Sequence, residues 1–323
     1  MATKVRSHSD AGIRLAYIRR HYYFFANGAK LAHTGTMNTV TDEEQHQDGH
    51  NVPYTHGHHD SVLRSHRWRT AENSAGYLLP HLAPGMSLLD VGCGPGTITS
   101  DLAALLATGR VVGLDASVEV IEEARRAAAE QGTAGLTFEV GDLFNLDYED
   151  GTFDVVHAHQ VLQHVGDPVA ALVEMKRVCR SGGVVAVRDG DYPSMTFFPA
   201  CPELKRSLEA YRAATLANGA QCDAGRKILS WAHRAGFASV VPSASAWCYA
   251  TPEERRWWGD LWADRVTTSS LADQLLARHI ATEDDLASFA AAWRGWASEP
   301  DGWFAILHGE VICTVQPEHG YAV

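Results

Sequence analysis

The sequence predicts an α/β fold: a seven-stranded, mostly parallel sheet with helices on both faces and a helical C-terminal insertion acting as a cap. Three observations lead there. From Met86 onward, short apolar runs of strand length alternate with amphipathic runs of helix length, the pattern of a parallel sheet covered on both sides. A glycine turn, Gly92-Cys93-Gly94-Pro95-Gly96, follows the first apolar run. Five of the nine tryptophans (Trp257, Trp258, Trp262, Trp293 and Trp296) gather in a helix-rich stretch between two late strand candidates.

Each element has a local reason. Residues 62–82 carry Leu63, Trp68, Tyr77 and Leu78 at helical spacing, and Pro80 and Pro84 close that segment. Met86–Val91 reads as the first strand. Thr97–Leu106 reads as a helix turning Ile98, Leu102 and Leu105 inward. Val111–Leu114, Leu136–Val140 and Phe153–Ala158 are further strands, separated by a helix over Val118–Glu130 and, near Asp142, a turn. Val169–Cys179 is helical, and Val184–Val187 is a fifth strand after the Gly182–Gly183 turn. Beyond it, Asp191–Cys201 reads as a loop, Glu203–Asn218 and Ala224–Ala235 as helices, and Val240–Tyr249 and Phe304–Val315 as the last strands. The order is Rossmann-like, and ligands of such sheets sit beyond the C-terminal strand ends.

The expected organisation is a flexible or non-native extension over residues 1–36, an arm and gate helix over 37–82, and one domain over 83–323 with the cap at 250–300. A partner-binding or lid helix and a targeting segment are the alternatives for 1–36, which holds six Lys or Arg against Asp10. The whole chain carries 39 Asp and Glu against 27 Lys and Arg, a formal charge of −12 that repels a phosphate backbone and disfavours nucleic-acid binding. Six scattered cysteines show neither disulfide nor CxxC metal spacing, which fits a reducing, cytoplasmic setting. No apolar run approaches the length of a membrane span. A homodimer is compatible with the sequence, and the tryptophan-rich stretch could serve as its surface.

The most informative segment is Leu88-Leu89-Asp90-Val91-Gly92-Cys93-Gly94-Pro95-Gly96. Glycines at a strand-to-helix turn permit close backbone approach and can leave amides aimed at a ligand. Asp115, twenty-five residues after Asp90 and at the end of the second strand, can accept from a ribose diol. A dinucleotide oxidoreductase would prefer GxGxxG, whereas Gly96 comes one residue early. Asp90 itself suggests a ligand with a cationic group, since it would repel a diphosphate.

LDVGCGPG, VVGLDAS and GDLFNLDYEDGTFDVVHAHQVLQHVGDP stand in the order of three motifs. The chain thereby resembles the class I S-adenosylmethionine-dependent methyltransferases, in particular the small-molecule group related to the ubiquinone and menaquinone C-methyltransferases, from about Leu82 to Val187. The resemblance implies S-adenosyl-L-methionine as cofactor and S-adenosyl-L-homocysteine as product. It places Gly92, Cys93, Gly94 and Gly96 around the methionine part, with Asp90 acting through the motif's hydrogen bonds. Asp115 would meet the ribose, Ala116 the adenine, Gly141 and Asp142 the adenine amino group, and Leu143 the ring. Gln160 and Val161 would line the methionine side.

The acceptor side is less marked. His164, His159 and Asp189 are candidates for contact with the reacting group, because each follows a strand end and could hold or orient a proton. A hydrogen-bonded structural role is the other reading of His164, and a solvated loop that of Arg188, Asp189, Asp191 and Tyr192. Tyr54, His59 and Trp68 are expected in an N-terminal gate, with Arg67, Arg69 and Asn73 near the carboxylate end of the cofactor. Tyr192, Trp257 and Trp262 are expected against the acceptor, since indoles suit planar ligands, although core packing also explains tryptophans. His56, His58, His59 and His66 show no diagnostic zinc spacing, so no metal is expected. The activity expected is methyl transfer to a carbon or oxygen of a small apolar or aromatic metabolite. Protein or nucleic-acid methylation is the alternative enzyme class, although the DPPY signature of planar amino acceptors is replaced by HAHQ. A non-catalytic binding module is the third reading.

Overall fold

The computed structural model describes residues 60–316. Tyr54, His59, the extension 1–36 and the arm up to residue 59 lie outside the described residues. The expected single helix over 62–82 is divided into α1 (Asp60–Arg67), α2 (Ala71–Ala75) and a 3₁₀ turn at Leu79–His81. The cause is Thr70, extended at φ −128°, whose hydroxyl accepts from Asn73 N while Asn73 Oδ1 accepts from Thr70 N. This reciprocal cap starts a new helix and leaves Trp68 at the break.

The alternating order then runs β1 (Leu88–Val91), α3 (Thr97–Leu106), β2 (Val111–Asp115), α4 (Val118–Gln131), β3 (Leu136–Val140), β4 (Phe153–His159), α5 (Pro168–Val178) and β5 (Cys179–Gly190). Ser117 caps α4 through Val120 N, and Asp167 caps α5 through Val169 N and Ala170 N, with Pro168 in the first turn. In α3, Leu106 and not Leu105 completes the buried stripe. Leu105 is 51% exposed and Leu106 fully buried, a one-residue rotation of the expected face. The distal part comprises β6 (Thr196–Phe198), α6 (Pro202–Ala217), α7 (Ala224–Arg234), β7 (Ser239–Tyr249), α8 (Pro252–Thr268), α9 (Ser270–Ala277), α10 (Glu283–Ser298) and β8 (Trp303–Thr314). Among the described residues no helix is long and apolar enough to cross a membrane.

β3, β2, β1, β4 and β5 are parallel neighbours, and β8 runs antiparallel between β5 and β7. The sheet has eight strands where seven were expected. β7 covers β8 from residue 304 to 314, but β5 reaches only residues 308–314 of its other edge. The remaining stretch is paired by β6, within the segment read as a loop: Thr196↔Ala305, Phe197↔Phe304 and Phe198↔Trp303. Three residues with no period to detect left no strand signal in the sequence.

Strand alternation divides the core. Leu89, Val156, Val187 and Val311 face α5 and α7, while Leu88, Val155, Ala186 and Ile312 face α2 and α3. The second face turns polar towards the C-terminal ends of the parallel strands, where register sets Asp90 beside His157, His159 beside Arg188, and Arg188 beside Glu310. A third core lies among α6, α8, α9 and α10, centred on Trp258, Trp262, Trp293 and Phe304. The start of α7 crosses β8 at Gly225 and Gly309. A Cβ on Gly309 would lie 1.9 Å from Gly225 O, with backbone and not a yielding side chain in the way. Gly309→Ala is expected to cost about 3 kcal/mol as overpacking, read from urea unfolding; a loss under 1 kcal/mol would show that the crossing can open.

Candidate active site

Behind the glycine turn sits one buried carboxylate. Asp90 accepts from Thr99 Oγ1 at 2.6 Å and pairs with His157 Nδ1 at 2.7 Å, and it is 3% exposed. Thr99 stands in the first turn of α3 and His157 in β4, so this carboxylate ties strand, helix and neighbouring strand together. The expectation that Asp90 faces a cationic ligand is corrected: it lies beneath the turn, and any effect on a ligand passes through these bonds.

The three turn glycines serve different needs. Gly92 and Gly96 have φ of 65° and 78°, and a Cβ would meet Val161 Cγ2 at 2.4 Å or the Phe138 ring at 2.5 Å. Both are required by packing as much as by conformation. Gly94, at φ 56°, is open on its outer side: a Cβ would find nothing nearer than His66 Nδ1 at 3.7 Å. The amides of Cys93, Gly94 and Gly96 already donate to Leu114 O, Asp115 Oδ2 and Cys93 O. The turn therefore offers close backbone approach and does not aim these amides outward. Cys93 packs towards Ile121, Ala124 and Phe138, and burial pushes its thiol well above the usual range.

A cavity of about 1030 Å³ opens over the C-terminal ends of the parallel strands. Gly92, Gly94, Asp115, Ala116, Gly141, Asp142 and Leu143 line one part of its wall, and Trp68, Trp257 and Trp262 another, with His159, Gln160, Val161, His164 and Tyr192 completing it. Asp90, Cys93, Gly96 and Asp189 are not on the wall. Ligand pockets run to about 1,000 Å³, so this one has room for a cofactor and a second molecule. Asp115 Oδ2 accepts from Gly94 N and Oδ1 from Ser117 N, both at 3.0 Å. Each carboxylate oxygen keeps a further lone pair for a ligand hydroxyl. Asp142 Oδ1 accepts from Phe144 N at 2.9 Å. At Gly141, a Cβ would lie 2.7 Å from Leu114 Cδ1, which explains the glycine there.

Gln160 follows β4 in the left-handed region, at φ 55°, with its N–H donating to Arg188 O at 2.7 Å. Arg69 Nη2 donates to Gln160 Oε1 at 2.7 Å, which fixes the amide so that Nε2 donates to His308 Nε2 at 2.8 Å. The His308 proton is then on Nδ1. His159 stacks on His308 with ring centroids 6.2 Å apart and lies 5.6 Å from Trp247. Neither His159 nitrogen has a hydrogen-bond partner among the described residues. Burial, reinforced by the Arg188 and Arg69 charges, drives its pKa well below the usual imidazole range, so the ring is neutral.

His164 is pushed down to about 3 by burial and by Arg69. Its Nε2 takes a hydrogen bond from Gln163 Nε2 at 2.9 Å, and the same amide donates to Tyr192 Oη at 2.9 Å. His164 thus steadies Tyr192 through Gln163. Asp189 projects to the opposite sheet face and accepts from Gln163 N at 3.2 Å. Arg188 pairs with Glu310 at 3.2 Å, Asp191 is bound by Arg226 at 2.7 Å, and Arg67 bonds Glu123 at 2.8 Å.

Several wall residues escaped the sequence reading: Trp247, Tyr249, Tyr211, Arg265 and the Gln163 relay, together with His308 behind the wall. The alternation of Ser245, Trp247 and Tyr249 along β7 was the available signal. The others depend on how the cap folds back.

Comparison with known proteins agrees with this architecture. A family model described as Methyltransferase domain matches residues 82–251. An uncharacterized methyltransferase of Schizosaccharomyces pombe is 33% identical over 274 residues, covering 80% of this chain and 95% of the relative. The ubiquinone/menaquinone biosynthesis C-methyltransferase of Bdellovibrio bacteriovorus is 37% identical over 116 residues, 36% of this chain and 49% of that protein. Among solved structures, the YcgJ protein of Bacillus subtilis superimposes with a TM-score of 0.51 at 15% identity, over 76% of this chain and all of that one, a likeness of fold.

Burial raises the Asp189 carboxyl to about 7, against the lowering pull of the Gln163 and Leu162 amides. An unfolded carboxyl titrates near about 4. Between these values the folded chain holds the extra proton, so this group costs stability as pH rises through the window. Asp189→Asn is expected to gain about 2 kcal/mol relative to wild type between pH 5 and pH 8, measured by urea unfolding at each pH. Parallel profiles would show that the charge is tolerated.

Proposed function

The chain belongs to the class I S-adenosylmethionine-dependent methyltransferase domain family, related to the ubiquinone/menaquinone group, and on that premise we propose that it methylates a carbon or oxygen of a small aromatic metabolite held in the tryptophan-lined part of the cavity. One observation carries the reading: the glycine turn and two carboxylates occupy the same cavity wall as an aromatic chamber and a neutral histidine. Single-turnover transfer of labelled methyl from S-adenosylmethionine to extracted small metabolites, compared with protein and nucleic-acid mixtures, tests the acceptor class.

The residues present suit the cofactor. Gly94 leaves its outer side open, Asp115 keeps lone pairs for ribose hydroxyls, and Asp142 beside the apolar Leu143 suits an amino-bearing ring. Gln160 and Val161 would flank the methionine part. When bound, S-adenosylmethionine supplies an electrophilic methyl on a sulfonium and leaves as S-adenosylhomocysteine.

What remains for the protein is alignment and exclusion of water. Gly94, Asp115, Asp142, Gln160 and Val161 would hold that donor with its methyl turned towards the aromatic part of the cavity; an acceptor that had given up its proton to bulk water would supply the electron pair of the new bond, and the carbon–sulfur pair would stay with the departing sulfur. On this reading His159, neutral and without a hydrogen-bond partner among the described residues, orients a hydroxyl of the acceptor. Its depressed pKa makes it a poor holder of the proton. Burial raises the pKa of the Tyr249 hydroxyl well above the usual phenol range, and the charges of Arg69, Arg188 and Arg265 each pull it part of the way back down. The same field would stabilise an acceptor oxyanion, the stronger nucleophile.

Asp115→Ala is expected to weaken S-adenosylhomocysteine binding by about 1–3 kcal/mol, for a lost charge-assisted contact, by calorimetry on protein freed of copurified ligand. Unchanged affinity removes the ribose assignment. His159→Ala is expected to hold cofactor affinity within about twofold while transfer falls about a hundredfold, and normal turnover would take His159 out of the mechanism.

A further inference from the structure

The last strands leave part of one sheet face open and apolar. Alternation turns Gly309, Val311 and Cys313 of β8 towards α7, whose start crosses the strand at Gly309. Past that crossing the same face carries Leu307 and Trp303, 43% and 41% exposed. Phe198 of β6, paired with Trp303, is 58% exposed. On β7 the face continues through Pro242, Ala244, Ala246 and Cys248, all exposed, with Ala246 opposite Leu307. No charged side chain stands among these residues, and Thr196, opposite Ala305, is their polar neighbour. β7 is thus turned inside out. A strand open to water on one side ordinarily puts its polar residues there. Here Ser243 and Ser245 point the other way and both donate to the buried Glu310.

Charge and shape say what covers the face. The chain carries −12, yet this face has no charge to meet a charged protein and no cation to hold an anionic lipid. Its complement is another uncharged face, and the face is a complement of itself. A ridge of Phe198, Trp303 and Leu307 runs beside the shallow row of Ala244, Ala246 and Cys248, so a twofold axis sets the ridge of one copy over the row of the other. Seven residues of β7 at about 3.3 Å each, across three strands about 4.8 Å apart, make a patch of roughly 300 Å² in plan. That suits the apolar centre of an interface burying about 800 Å² per partner. A polar rim begins beside Leu307, whose carbonyl accepts from Asp191 N at 2.9 Å, with Arg226 bound to the Asp191 carboxylate. Pro242 in the middle of β7 opposes growth of the sheet by edge pairing, so the copies meet face to face. The tryptophan-rich stretch expected as a dimer surface is closed off instead: Trp258, Trp262, Trp293 and Trp296 are at most 5% exposed.

We infer that the chain forms a twofold dimer in which the β6–β8–β7 faces of two copies pack on each other. The inference is independent of the methyl acceptor.

Sedimentation velocity on the full chain from about 1 to 100 μM tests it, the range in which an interface of this size associates. The dimer fraction is expected to rise with concentration. Leu307→Asp and Phe198→Asp bury a charge at the centre of the contact and are expected to weaken association at least about a hundredfold. Leu105→Asp, at a leucine of α3 that is also half exposed, is expected to leave it within about twofold. Thermal unfolding checks each variant, and if one of the two does not fold, the other still decides. A wild-type chain that stays monomeric throughout, or a dimer that the folded variants keep, overturns the inference. Flotation with phosphatidylcholine–phosphatidylglycerol vesicles runs alongside. Vesicle binding by a monomer, abolished by Leu307→Asp, would give the face to a membrane and overturn the inference as well.

Discussion

The active region depends on keeping one carboxylate dry and fully bonded. Asp90 lies beneath the glycine turn, held by Thr99 and His157, and joins the end of β1 to the first turn of α3 and to β4. A buried carboxylate that loses a partner costs several kcal/mol, so this arrangement is close to all-or-none. From it follows the path of the backbone through Gly92, Gly94 and Gly96. That path in turn lets Gly94 N reach Asp115 and fixes the carboxylate at the end of β2. The acid that the motif displays most prominently is thus structural support, and the acid that faces the cavity is positioned by it.

The same sheet face explains the electrical character of the cavity. Register brings His159, Arg188, Glu310 and His308 together where an ordinary core would place aliphatic side chains. Arg188 keeps Glu310 as its ion partner, and burial, reinforced by the Arg188 and Arg69 charges, holds the neighbouring imidazoles of His159 and His308 neutral. Such a surface is poor at storing a proton. Gln160 concentrates the connections, bonding Arg69 from the segment before α2 and His308 from β8 at a left-handed backbone position. A strained residue persists where its surroundings over-determine it, and three hydrogen bonds do so here.

The cap has two kinds of tryptophan. Trp293 and Trp296 are core, with indole nitrogens satisfied by Ser207 and Phe198. Trp258 and Trp262 are equally buried, but their nitrogens have no acceptor among the described residues, and both side chains line the cavity. α10 therefore holds the cap together while α8 also lines the chamber, which is why composition alone could not assign their tryptophans.

The sequence by itself determined the βα order, the element boundaries from β1 to α5 within a few residues, and the glycine turn with its two downstream carboxylates. These are local properties: apolar periodicity, capping residues and the steric need for glycine are written within a few positions of where they act. Only the tertiary structure decided that Asp90 faces inward, that Asp189 lies on the far side of the sheet from His159, and that His164 braces Tyr192 through Gln163. It alone brought Trp247 of β7 to the cavity wall with His308 of β8 behind it, and it paired β6 with the uncovered edge of β8. Each of these depends on strand register or on contacts between residues tens of positions or more apart along the chain, where the identity of a side chain says nothing about what stands opposite it.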